Sequence, residues 1–326
     1  MTQQVLVTGA GGFIGSHLVE LLVREGYKVR AFVHYNSNNN WYNLERAPAD
    51  ILKEVEVVAG DIVDPYSVDS AVKGCETVFH LAALIGIPYS YVAPASYVSV
   101  NVNGTLNVLE ACKRYGAHRV LHTSTSETYG TAQYVPIDEQ HPLVGQSPYS
   151  ATKIAADKLA LSYHLSFDTP VTVVRPFNTY GPRQSMRAII PTIIVQALTS
   201  GRLRLGSLDP VRDLTFATDT ARGFLAASLS DSVIGDTVNL GVGEGSSVRD
   251  LVDMVGQLLG KKLPVEIDQK RIRPASSEVM RLISDNSKAK ERMGWQPRVS
   301  LKDGLEQTVR FVEQNLDAFK SNVYTV

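Results

Sequence analysis

Cysteine is nearly missing from these 326 residues; Cys75 and Cys112 are the whole complement. Two thiols build no disulfide framework and no cysteine-rich metal cluster, so they are expected to be buried apolar groups in a reducing cytoplasm. Excess charge of either sign is missing too. Thirty-two Lys and Arg against 33 Asp and Glu leave a net charge of -1, with no basic stretch and no acidic tail, which argues against a nucleic-acid partner. Long hydrophobic runs are missing as well. The longest, around "TVFHLAALIGIP", falls short of the ~20 residues a membrane span needs, and "MTQQVLVTGAGG" lacks the charged n-region and apolar core of a signal peptide. His80, His118, His122, His141 and His164 show no metal-ligand spacing, and no metal site is expected. No internal repeat or low-complexity tract is present.

What is present begins at once. "QVLVTGAGGFIGSHLVELLVREGYKVRAFV" reads as strand, glycine loop, helix and second strand, with Gly9, Gly12 and Gly15 as G-x-x-G-x-x-G. Gly9 suits the tight turn, Gly12 lets backbone approach a pyrophosphate, and Gly15 allows close helix–strand packing. The helix start, Phe13 and Ile14, then presents free N–H groups and a partial positive charge to the phosphates. A second strand of this kind normally ends in an acid that holds a ribose 2′-hydroxyl. Here Val33 and His34 stand in that region, so NAD and NADP both stay open, with His34 either a phosphate partner or a plain surface histidine. "VVAGDIVD" is a third strand, with Asp61 and Ile62 at its end where an acid can meet the adenine amino group. "TVFHLAA" is a fourth, whose Leu81, Ala82 and Ala83 let a cofactor lie against the backbone. Strand alternating with helix implies a doubly wound parallel sheet of the Rossmann type, with the ligand at the carboxyl ends of the strands.

"TSTSETYG" (123–130) sits at one such end. Further on, "SPYSATKIAADKLALSYH" reads as a helix opened by Ser147 and Pro148, with Tyr149 and Lys153 one turn apart on one face. A phenol with a free pKa of ~10 is a poor base at neutral pH; a neighbouring ammonium and a cationic nicotinamide both favour the phenolate and are expected to lower it. Tyr149 could then take the proton of a sugar hydroxyl while hydride leaves the same carbon.

Taken together, "TGAGGFIG", "GDIVD", "HLAA", "NVNGTLNVLEA", "TSTSETYG", "YSATK", "RPFNTYGPRQ" and "RDLTFATD" make the chain resemble, over nearly its whole length, an extended short-chain dehydrogenase/reductase of the nucleotide-sugar epimerase/dehydratase branch. "HLAALIGIPYSY", "TAQYVPIDEQHPLVGQSPYSATK" and "RPFNTYGPRQSMRAIIPTII" carry a closer resemblance to 4,6-dehydratases of N-acetylated sugar nucleotides, such as those of the legionaminic acid pathway. The resemblance implies Thr125, Tyr149 and Lys153 as the dehydrogenase triad, Asn101 among the cofactor contacts, a tightly held NAD(P), and a homodimer built from "SYVSVNVNGTLNVLEACKRYG" and "YSATKIAADKLALSYH".

An epimerase needs only the triad, because it removes and returns one hydride at C4. A dehydratase needs a base for the C5 proton and an acid for the departing C6 hydroxyl. Glu127 suits the base. Ser126 stands where glucose-type dehydratases resemble one another in carrying aspartate, so either Glu127 does both jobs or Ser126 relays a proton through water. The same Thr-Ser-Glu trio resembles that of UDP-glucuronate decarboxylases, and a C4 epimerase is a further alternative. A different class altogether, a non-catalytic cofactor-binding regulator, would be expected to have a broken triad.

The second half is read as a smaller α/β substrate domain interleaved with the sheet: residues 178–211 and 244–326, against 1–177 and 212–243 for the Rossmann domain. Candidate substrate contacts are Pro88, Asn178, Arg183, Arg212, Arg273 and Glu278, with Arg273 a charge partner for a diphosphate. Asp219 reads as the N-cap of the helix in "RDLTFATDTARGFLAA". The substrate expected is UDP- or GDP-N-acetylglucosamine.

Overall fold

In the computed structural model, which describes residues 3–272 and 279–319, the anticipated doubly wound sheet is present. Seven parallel strands, β1 (Gln4–Thr8), β2 (Lys28–His34), β3 (Val55–Gly60), β4 (Thr77–His80), β5 (Arg119–Thr123), β6 (Val171–Pro176) and β7 (Thr237–Leu240), run in the order β3-β2-β1-β4-β5-β6-β7. The central strands are buried along almost their whole length, as a sheet covered by helices on both faces requires. One face packs Leu18, Val19 and Leu22 of helix α1 (Phe13–Arg24) with Ala221, Phe224 and Ala227 of the Ala217–Leu229 helix. The other packs Val108, Leu109 and Cys112 of α2 (Gly104–Tyr115) with Ala160 and Tyr163 of α3 (Pro148–Phe167). Both cysteines are buried and free, and burial pushes the Cys75 thiol up to about 11.

Strand order reverses between β1 and β4, which places a crevice at their carboxyl ends. The register there sets Thr8 beside His80 and His80 beside His122. Three polar side chains thus stand in a row across the middle of the sheet.

A second core lies outside the sheet. It joins the Ile189–Thr199, Val248–Leu259 and Leu301–Gln314 helices to the short strands Leu203–Leu205 and Val265–Ile267. Ala289 and Trp295 pack into the core of the sheet, and the Trp295 indole donates to the carbonyl of Asp219. Asp219 is not an N-cap. Phe216 holds that position, and the Asp219 carboxylate accepts the backbone N–H groups of Arg298 and Val299, each at 2.9 Å. Its buried carboxylate ties the returning chain to the sheet.

Candidate active site

The glycine loop is shaped by contacts that no side chain would survive. Gly9 has φ +69°, and a Cβ there would lie 2.8 Å from the Ala82 nitrogen; one on Gly15 would lie 2.2 Å from the Gly9 oxygen. So the turn presses directly onto the end of β4 and onto α1. Gly12 is the N-cap of α1 with no side chain over it, and the first N–H groups of the helix, at Phe13, Ile14 and Gly15, have no intrahelical acceptor. This cradle fits a dinucleotide pyrophosphate. Thr8 Oγ1 accepts the N–H groups of Leu81 (3.1 Å) and Ala82 (3.2 Å), which fixes the small-residue rim opposite the loop. Ile62 packs against Gly104, where a Cβ would approach to 3.0 Å. His34 and Asp61 are exposed at the ends of β2 and β3, and Asp61 accepts the N–H of Val63.

Asn101 is placed differently from a direct cofactor contact. It sits in a π-turn, Val98–Asn103, at the entry to α2. Its amide donates to the Leu84 carbonyl (3.0 Å) and Thr152 Oγ1 (3.1 Å), and its oxygen accepts from the Leu84 N–H (2.8 Å). The side chain braces the loop after β4 against α3.

At the end of β5 the chain turns abruptly. Thr125 is extended and caps the short Ser126–Tyr129 turn, its hydroxyl accepting the Glu127 N–H. The same hydroxyl is near enough to the Tyr149 phenol to favour its ionised form. Tyr149 and Lys153 project from the first turns of α3, whose start is fixed by a capping box of Ser147 and Ser150. Both are buried. Tyr97 meets the Tyr149 ring edge-on, centroids 6.2 Å apart, and is itself held by its hydroxyl donating to the Gly86 carbonyl at 2.5 Å. The phenol is not lowered as expected. Burial pushes it above its ordinary value, the Thr125 hydrogen bond opposes this, and the Glu127 charge adds to the rise. Burial also lowers Lys153, to about 8, against the pull of the Asp157 charge. The stabilisation of a phenolate must therefore come from the cationic ring of a bound cofactor together with a charged Lys153.

Beside this locked pair stand two free groups. Ser126 is 2% exposed, and neither its hydroxyl nor the half-buried Glu127 carboxylate has a hydrogen-bond partner among the described residues. Asn178 opens the short strand Asn178–Tyr180, and its buried Oδ1 also lacks a partner, which suits a ligand donor. Pro88 lies in the first turn of the Ile87–Val92 helix, against α3.

The other substrate candidates divide. Arg183 has φ +70°; its guanidinium bonds Glu20 of α1 at 2.8 Å through Nη2, while its buried Nη1 lacks a partner. Arg212 lies in a two-residue strand between Ser246–Ser247 and Arg281–Leu282. Arg273 and Glu278 fall outside the described residues. Arg187 is a further available cation: its guanidinium approaches Gly86 and makes no hydrogen bond or ion pair among the described residues. The sequence reading missed the polar cluster around Asp157 beneath the triad, although Lys153 and Asp157 share the helical i, i+4 spacing that could have shown it.

Comparison with known proteins agrees with this geometry. The family model for GDP-mannose 4,6 dehydratase matches residues 6–308. A UDP-glucose 4-epimerase of Mycolicibacterium smegmatis is 33% identical, over 94% of this chain and 98% of that protein. A dTDP-glucose 4,6-dehydratase of an Actinoplanes species is 32% identical, over 96% of this chain and 98% of its own. The crystal structure of DesIV, a dTDP-glucose 4,6-dehydratase from Streptomyces venezuelae with NAD bound, superposes with a TM-score of 0.88 at 30% identity, covering 98% of this chain and 99% of that one.

Proposed function

The chain belongs to the GDP-mannose 4,6-dehydratase family of NAD-dependent nucleotide-sugar dehydratases and epimerases, and from that premise we propose that it is a 4,6-dehydratase of UDP- or GDP-N-acetylglucosamine. The observation that carries this reading is the pair of unpartnered groups, Ser126 and Glu127, beside Thr125 and Tyr149. Transfer of one hydride to and from C4 would leave both without work.

In the reaction Tyr149 takes the proton of the C4 hydroxyl, with Thr125 holding that oxygen by its hydrogen bond and the Lys153 charge favouring the phenolate. A bound NAD(P) supplies a hydride acceptor for C4 and later the same hydride for C6. With C4 a ketone, the C5 proton is acidic and Glu127 removes it. The C6 hydroxyl departs as water with a proton from Glu127, or from one relayed by Ser126. C5 then takes a proton of solvent origin, matched by release to solvent of the one Tyr149 took from the C4 hydroxyl, which completes the 4-keto-6-deoxy sugar. Because the hydride returns within one turnover, the dinucleotide is held tightly. The cradle of Gly9, Gly12, Phe13, Ile14 and Gly15 accepts the pyrophosphate, Leu81, Ala82, Ala83, Asp61 and Ile62 border the adenosine half, and Asn178 and Arg212 serve the nucleotide sugar.

The protein acts as a cytoplasmic homodimer in this reading. Val98, Leu106, Leu165 and Phe167, on and beside α2 and α3, are exposed apolar side chains that such a pairing would cover; among the described residues no helix is long and apolar enough to cross a membrane. A second reading, decarboxylation of UDP-glucuronate, is favoured by one feature: the uncommitted Arg187 guanidinium at the crevice would suit a C6 carboxylate.

The test is to offer UDP-N-acetylglucosamine, GDP-N-acetylglucosamine and UDP-glucuronate separately and weigh the products. Loss of one water from an N-acetylglucosamine nucleotide is the expected result. Carbon dioxide from UDP-glucuronate would transfer the case to the second reading, and an isomer of unchanged mass would make the protein an epimerase.

A further inference from the structure

Beneath the triad, between the sheet and α3, lies a buried cluster with one acid and an excess of bases. Asp157 is one turn beyond Lys153 on α3 and 1% exposed. Its Oδ2 accepts from Ser124 Oγ at 2.5 Å and from Arg175 of β6 at 2.8 Å. Its Oδ1 lies 3.2 Å from His122 Nε2 of β5, yet neither atom is aligned for a hydrogen bond. Arg175 is gripped from several sides: Ser124 accepts from its Nε, and the Tyr129 ring lies 4.7 Å from it. His122 stacks obliquely on His80, centroids 5.6 Å apart, and His80 is closed off by Thr8 (2.8 Å) and Thr105 (3.0 Å). Burial, then neighbouring positive charges, lowers both imidazoles, and for His122 the Asp157 charge pulls the other way.

The charges in this space can be counted. Arg175 is a permanent cation and Lys153 must be a cation to serve the phenolate. Against them stands Asp157 as the one carboxylate of the cluster; Glu127 belongs to the crevice on the other side of Tyr149, and Tyr97 and Tyr129 are neutral phenols. The Lys153 ammonium makes no hydrogen bond to any described residue, so no direct partner holds its charge. Two buried cations over one anion is a poorly balanced arrangement, and removing the anion would fall on the member able to shed its proton, which is Lys153.

We propose that Asp157 is a positioning residue of the active site: clamped by Ser124 and Arg175, it is the fixed buried anion that keeps Lys153 protonated, with His122 remaining neutral beside it. This rests on the reading of Thr125, Tyr149 and Lys153 as the triad, and the two can fail separately.

The experiment reads the Lys153 charge directly. Protein labelled with 13C at lysine Cε is titrated by NMR, the Lys153 signal being assigned by its loss in Lys153→Arg. In unaltered protein the signal should titrate near pH 8. In Asp157→Asn the midpoint should fall by about one pH unit or more, and single-turnover nicotinamide reduction should lose about tenfold on its alkaline side. Asp157→Glu should restore both. Because Asp157→Asn strands Arg175 and could unfold the chain, Asp157→Asn/Arg175→Met removes the stranded cation and should still show a downward shift, smaller because a cation leaves with the anion. An unmoved Lys153 midpoint in either folded variant overturns the proposal, even if the rate falls. Failure of the triad reading looks different: Tyr149→Phe would then retain turnover, whatever Asp157 does.

Discussion

The two halves of the crevice are built on opposite terms. On the α3 side, Tyr149 and Lys153 are buried on a helix whose start is capped, flanked by Tyr97 and underlain by a buried ion cluster. On the β5 side, Ser126 and Glu127 sit beside them in a short turn with their polar atoms uncommitted. A group whose lone pairs are already spent cannot meet a substrate without losing a bond; a group left free in a nearly closed site is available at no such cost. The contrast separates what hydride chemistry demands of any member of this fold from what one reaction demands of one member.

The comparison is broken most severely at Tyr149. Tyr149→Phe keeps the ring that packs on Tyr97 but removes the base, and turnover should fall by about 10²- to 10⁴-fold with an unchanged thermal unfolding curve. Substantial residual turnover would take Tyr149 out of the mechanism. Glu127→Gln comes next. It should spare C4 oxidation and block the elimination after it, so that reduced nicotinamide accumulates, seen by its absorbance, while deoxy-ketosugar formation drops by about 10²-fold or more. Near-normal product formation would show that Glu127 is not the C5 base. Ser126→Ala should cost less than Glu127→Gln in a relay role. Equal losses in the two variants would instead make Ser126 the obligatory acid.

A fourth substitution sharpens the boundary of the site. Arg183→Ala removes the ion pair with Glu20, a hydrogen bond between charged groups, and should lower stability by about 1.5–3 kcal/mol, measured by urea unfolding. KM for the nucleotide sugar should stay constant. A large rise in KM at unchanged stability would return Arg183 to the substrate contacts.

The legible part of this molecule was local in sequence. G-x-x-G-x-x-G and Tyr-x-x-x-Lys are each set by one turn of helix or one tight loop, and the strand–helix alternation fixes a parallel sheet without further information. The illegible part depends on distant partners. Arg183 reads as a candidate cation until Glu20, brought over from α1, is seen to hold it. Asp219 reads as a cap because helix starts attract aspartate, whereas the returning chain at Arg298 and Val299 supplies its donors. Asn101 reads as a ligand contact, yet the loop at Leu84 uses its amide. Burial, which no motif displays, raises the Tyr149 phenol and opposes the lowering expected from Lys153 and the cofactor charge. Which polar groups stay free is a property of the folded crevice.

The most direct test traces the hydrogen. N-acetylglucosamine nucleotide deuterated at C4 is converted, and the product is examined for the position of the label. A 4,6-dehydratase returns that deuterium to C6, so the product should be one water lighter, carry deuterium in its methyl group, and hold solvent hydrogen at C5. Deuterium recovered at C4 in a product of unchanged mass would contradict the account, since Ser126 and Glu127 would then have taken no part in any elimination.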